Sequence, residues 1–110
     1  MSQAAVLAED LPVLSEVVSM TADSAERSGL DDRTFFLVRI AALAGTGAPP
    51  SSWLVNLAAA ADRGLTKEGV QDVLVAIAPV IGTARTVAAA GNALRGVGIA
   101  TALSEADGQR

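Results

Sequence analysis

A chain of 110 residues has room for one hydrophobic core, so a single domain over 1–110 is expected, with flexible ends at 1–6 and 107–110. Apolar residues make up 51% and charged residues 18%, a surface so poor in charge that it points to self-association, although the many alanines raise the apolar count without making adhesive surface. The net charge is −4, with seven acids and three bases up to Arg39 and five of each from Asp62 onward, so no basic stripe suits a nucleic-acid backbone.

No charge appears between Arg39 and Asp62, but Gly45, Gly47, Pro49, Pro50, Ser51, Ser52 and Asn56 interrupt that run, and it does not read as a membrane span. No basic segment followed by an apolar core opens the chain. A cytoplasmic protein without a secretion signal is expected.

In chain order, a first helix is expected to start close to Asp10, because Pro12 is tolerated near a helical start and disruptive deeper inside. Leu14, Val17, Val18, Thr21, Ala22 and Ala25 recur at the spacing of one buried stripe, and Gly29 is a natural stop. Asp31 and Asp32 then offer oxygens to the free amides of a second helix, DRTFFLVRIAALAG. Phe36, Leu37, Ile40, Leu43 and Ala44 lie on overlapping faces of it, and Phe35 and Val38 widen the arc, as in a helix central to its subunit or shared with a neighbour. The two phenylalanines read as core or interface residues.

Gly45, Thr46 and Gly47 predict a loop, and Pro49-Pro50 disfavours helical geometry in the residue before it. Ser51 or Ser52 is expected to open a third helix carrying Trp53, Leu54, Leu57, Ala58 and Ala61. Ser52 and Asn56, four apart, are neighbours on one face. Two readings of that pair stay open: a ligand-binding couple, or a serine cap beside an asparagine bonded to a loop carbonyl. Arg63-Gly64 closes the helix and Thr66 starts a fourth, in which Val70, Val73, Leu74, Ile77 and Ile81 keep helical period. Gly69 stands where a glutamate would complete a capping box. Pro79 is expected to kink or end this helix near Ala78, and Gly82 to turn the chain into a last helix from Thr83. Ala84, Ala88, Gly91, Gly96 and Gly98 allow close approach there at a cost in helical stability. Arg85 and Arg95 are each able to bind an anion, keep one face wet or pair across an interface.

The chain contains no His and no Cys, which excludes Ser-His-Asp and Cys-His machinery and any disulfide framework. No metal site and no cofactor are expected: the carboxylates form no metal motif, and the glycines form neither a dinucleotide fingerprint nor a phosphate loop. Glu68 and Asp72, four apart, suit acid/base work only if both turn inward; otherwise they are surface residues.

From Leu30 to Leu94 the chain resembles the carboxymuconolactone decarboxylase and alkylhydroperoxidase D-like superfamily. The likeness lies in the order of an LDxRT-like helix start, a loop, an alanine-rich helix ending in GLT, a helix with an acid near Asp72, a PVIG-like turn and a small-residue helix. It implies an all-α, compact bundle of about five helices that associates as dimers, trimers or hexamers, with sites at helix junctions and subunit contacts. The peroxidase branch uses a Cys-x-x-Cys pair and a histidine on the same helix, and counting back from the GLT turn those positions match Pro49, Ser52 and Asn56. The decarboxylase branch keeps the histidine; Asn56 can hydrogen-bond but cannot exchange a proton near neutral pH. The acid expected after GLT corresponds to Glu68 or Asp72, and Phe35 or Phe36 replaces a residue that is often charged.

The candidate catalytic residues are thus Ser52, Asn56, Glu68 and Asp72, and the candidate ligand contacts are Ser52, Trp53, Asn56 and Arg85. The first expectation is a non-redox member whose inherited site has changed or lost its chemistry, acting as an oligomeric small-molecule-binding or structural protein. Its interface would hold Phe35 or Phe36 and the last helix, and its ligand would be a small apolar or anionic metabolite. A cofactor-independent enzyme acting on a small lactone or carboxylic acid is the alternative. The third reading is a docking module for another protein, through the acidic first helix.

Overall fold

The computed structural model describes residues 12–108, which form five helices: α1 Pro12–Ser28, α2 Asp32–Thr46, α3 Pro50–Asp62, α4 Lys67–Ile81 and α5 Thr83–Gly108. The expected all-α bundle is what these residues build. The expected start near Asp10 and the end at 1–6 lie outside the described residues, as do 109 and 110.

Where a cap was legible, the helix starts on it. Asp31 precedes α2 in extended geometry, and its Oδ1 accepts the Thr34 amide at 2.8 Å. Thr66 does the same for α4, its Oγ1 accepting the Gly69 amide at 3.2 Å. The start of α3 departs from expectation. Pro50 is its first helical residue and Pro49 occupies the cap position without a side-chain bond, so neither Ser51 nor Ser52 caps it. A proline at the first position lacks only an amide that would have had no helical partner, and its fixed φ is already helical. The expected loop at Gly45 and Thr46 is also helical; α2 runs to Thr46, and Gly47, at φ 71°, closes it. There the Ala48 amide returns to the Leu43 carbonyl at 3.0 Å, a closure that needs a left-handed residue between them.

Pro79 neither ends α4 nor stops it near Ala78; the helix continues to Ile81. The amide that Pro79 lacks would have bonded the carbonyl of Val75, an exposed residue, and the helix ends within a turn. Gly82 alone joins α4 to α5.

The core lies among α2, α3, α4 and α5, where Ile40, Ala44, Trp53, Val73, Ala89 and Ala93 are buried together. α5 packs along α3 more extensively than any other pair of helices. A Cβ on Gly96 would fall 2.9 Å from the Leu54 amide nitrogen and 3.0 Å from the Pro50 carbonyl oxygen, so this crossing is closed to larger residues. The other small residues of α5 do not share that role: Ala84, Ala88 and Gly98 are exposed.

A second cluster holds Phe35, Phe36 and Ala60, the two rings meeting edge to face at 5.1 Å. Both phenylalanines are 4% exposed and spent inside the subunit, which corrects their expected place in an interface. α1 lies at the margin, against α2 and α3. Of its expected buried stripe, Thr21 is buried and Val18 and Ala25 are half-buried, whereas Val17 and Ala22 are exposed. The Leu14 side chain lies outside the described residues.

Candidate functional site

Helical spacing does bring Ser52 and Asn56 together, but toward the protein. The Asn56 Nδ2 donates to the Ser52 carbonyl oxygen at 2.9 Å, and its Oδ1 accepts from Arg39 Nε at 2.7 Å. Arg39 also donates from a terminal nitrogen to Thr21 Oγ1 at 3.2 Å, and its guanidinium lies over the Phe35 ring, 5.0 Å from the centroid. One arginine on α2 thereby ties α1 to α3 through two buried polar side chains, Thr21 and Asn56. Burial pushes the Arg39 pKa below its usual value, since a guanidinium withdrawn from water loses solvation of its charge. The Phe35 ring face and the Asn56 and Thr21 oxygens supply part of what water no longer does.

The other candidates stand apart from this brace. Trp53 is fully buried in the core, with its indole Nε1 unpartnered among the described residues. Glu68 and Asp72 are exposed on α4. Arg85 is exposed on α5 and donates to the Gly45 carbonyl at 3.1 Å, tying the start of α5 to the end of α2. Arg95 donates to Asn92 Oδ1 on its own helix at 3.1 Å.

Open volume lies elsewhere. A groove of about 380 Å³ runs between α3, α4 and α5, walled by Leu57 and Ala61, Val70 and Leu74, and Leu94 and Val97. That volume falls within the roughly 300–1,000 Å³ of small-ligand sites. The groove uses the face of α3 that repeats through Leu54, Leu57, Ala58 and Ala61; at 100° per residue, Asn56 points to the opposite side. A smaller cavity of about 100 Å³ sits beside the Arg63–Asp32 ion pair. Ser52, Trp53, Asn56, Glu68, Asp72 and Arg85 line neither.

A family model for the carboxymuconolactone decarboxylase family matches residues 13–94, from the first turn of α1 into α5. The chain belongs to the carboxymuconolactone decarboxylase family. No match was found among curated proteins or among solved structures. The match reaches further toward the N-terminus than the resemblance read from Leu30 to Leu94, so α1 is part of what this carboxymuconolactone decarboxylase family member shares with the others. Within the described residues no group of three or more acidic side chains could hold a metal ion, and no helix is long and apolar enough to cross a membrane.

Two features escaped the sequence reading. Arg39 carried a signal, because it is the one charge inside the apolar run of α2 between Arg33 and Thr46, and such an arginine must find partners inside. The groove carried none. It arises where small residues of α3 and α5, Ala58, Ala61, Ala90 and Ala93 among them, leave space opposite α4 that no single stretch specifies.

Proposed function

We propose that this family member is a non-redox, oligomeric small-molecule-binding protein whose ligand surface is the apolar groove between α3, α4 and α5. The observation that carries the reading is the opposition of the two faces of α3. On the face where the resemblance would put a thiol and a histidine, the Asn56 oxygen already accepts from Arg39 and its amide nitrogen already donates to the Ser52 carbonyl. On the other face an apolar volume of ligand size stands open. Self-association is supported by the large apolar side chains that α4 and α5 leave exposed, with Val75, Val80, Val87 and Leu94 each at least 66% accessible.

Calorimetric titration with a neutral apolar probe such as decanol tests the binding reading. Decanol is expected to bind at a single class of sites. Ala61→Phe, which fills the groove from an exposed position, is expected to abolish the signal, and Ser52→Ala to leave it unchanged. Unaltered binding in Ala61→Phe, or loss in Ser52→Ala, would sink it. Sedimentation equilibrium tests the subunit number, a monomer being the contrary outcome.

One observation favours the docking reading as a second. Val13, Val17 and Met20 recur at helical spacing on α1, and all three are exposed, Val13 and Met20 most strongly. Val13→Lys with Met20→Lys would abolish capture of such a partner and leave decanol binding intact. The reading of an enzyme using Ser52, Asn56 and Glu68 or Asp72 draws no comparable support, because neither the groove nor the smaller cavity is lined by those groups.

A further inference from the structure

We infer that the groove selects an apolar monocarboxylate, with its carboxylate at Lys67 and its apolar body running toward Leu74. The inference rests on the groove being the ligand surface, and adds what the ligand must carry. Lys67 is the only charged residue in the lining; Asp62 and Glu68 flank that region of the sequence, but neither contributes to the wall. The lining therefore calls for one negative charge and no positive one.

Polarity is also unevenly distributed along the groove. α4 and α5 are joined at Gly82, and Leu74 and Ala90 line the groove on the helical turns nearer that turn. Thr66, Lys67 and Thr101 line it on the turns farther away, and Gln71, the one other polar side chain of the lining, lies one turn in from Lys67 and carries no charge. A molecule with an apolar body and one polar end thus has a single favourable orientation. The polar end is equipped for an anion acceptor. The Lys67 ammonium has no ion-pair partner among the described residues. The Thr66 oxygen accepts the Gly69 amide, which leaves its O–H free to donate. A carboxylate takes both donors on its two oxygens and pairs its charge with the ammonium, whereas a neutral hydroxyl accepts the ammonium's hydrogen bond without an opposite charge.

The test compares decanoate, below its micelle concentration, with decanol, below its solubility limit, by titration calorimetry on the full chain and on two exposed-site variants, Lys67→Met and Ala61→Phe. Decanoate is expected to bind roughly tenfold more tightly than decanol, the size of one charge-assisted interaction. Lys67→Met should erase that advantage by weakening decanoate alone, and Ala61→Phe should weaken both probes. If the two bind alike and Lys67→Met changes neither, head-group selection is wrong while the groove still binds apolar molecules. If neither probe binds, the groove reading fails with it; a lowered subunit number in Ala61→Phe would then identify a second copy of the chain as the occupant.

Discussion

The two faces of α3 are built from adjacent residues of one short helix and meet opposite fates. On one, Asn56 is only 6% exposed and is held by Arg39 and by its own helix. On the other, Leu57 and Ala61 border a groove open enough to take a ligand. The difference lies in what the opposing helices bring. α2 presents an arginine long enough to reach Asn56 and Thr21 together, so that side closes on a matched polar set. α5 meets α3 at a tight crossing at Gly96, while α4 packs on α2 and α5 and faces α3 only across the groove, with aliphatic side chains. A buried polar position whose oxygen and nitrogen are both already bonded internally has little left to offer a substrate, while an underfilled apolar seam keeps its capacity.

The widest break in this comparison would come from the crossing itself. Gly96→Val places methyl groups against the Leu54 amide and the Pro50 carbonyl, backbone atoms that cannot rotate aside, and should cost about 3 kcal/mol in urea unfolding through overpacking. A loss below about 1 kcal/mol would mean that α3 and α5 separate freely, and the groove would then have no fixed floor. Next comes the closed face. Asn56→Ala leaves the Arg39 Nε without its acceptor in a part-buried site and should cost about 2 kcal/mol. Arg39→Met should be comparable, and the double variant scarcely worse than either single one, a coupling of about 1 kcal/mol or more. Strict additivity would dissolve the brace into two unrelated contacts. Decanol binding should survive in both single variants.

The smallest effect is expected outside both faces, at the start of α2. The amide bond from Thr34 holds the Asp31 carboxyl below its usual 3.8. A carboxyl whose folded pKa is depressed adds stability above its unfolded value and loses it as pH falls through the folded one. Acid unfolding of the wild type should therefore exceed that of Asp31→Asn, which keeps a cap without a titrating group. Superimposable acid curves would remove this contribution.

What the sequence made legible follows the range of the interactions. Asp31 and Thr66 could be assigned as caps because each bonds an amide three residues away, and Gly29 and Gly82 mark helix ends on backbone geometry alone. The start of α3 was misplaced because serine is a familiar cap, while a proline at the first position needs none. Pro79 does not end α4 near Ala78, since in the last turn of the helix its missing amide frees only one carbonyl, that of the exposed Val75. Ser52 and Asn56 were rightly seen as neighbours. Their partner Arg39, seventeen positions from Asn56, belongs to packing that no local pattern encodes. Phe35 and Phe36 were equally consistent with a core or an interface, and only the placement of Ala60 and Ala25 around them decided it.

Trp53 gives the molecule an unintended instrument. The chain has one tryptophan and no tyrosine, so excitation near 295 nm isolates a single indole. That ring is fully buried, its N–H meets no acceptor among the described residues, and its Cβ lies where a side chain on Gly96 would intrude. An indole so dry emits at the blue end of its range and shifts red when water arrives. The colour of this protein's emission therefore reports whether α3 and α5 remain locked together, one crossing read out of the whole bundle.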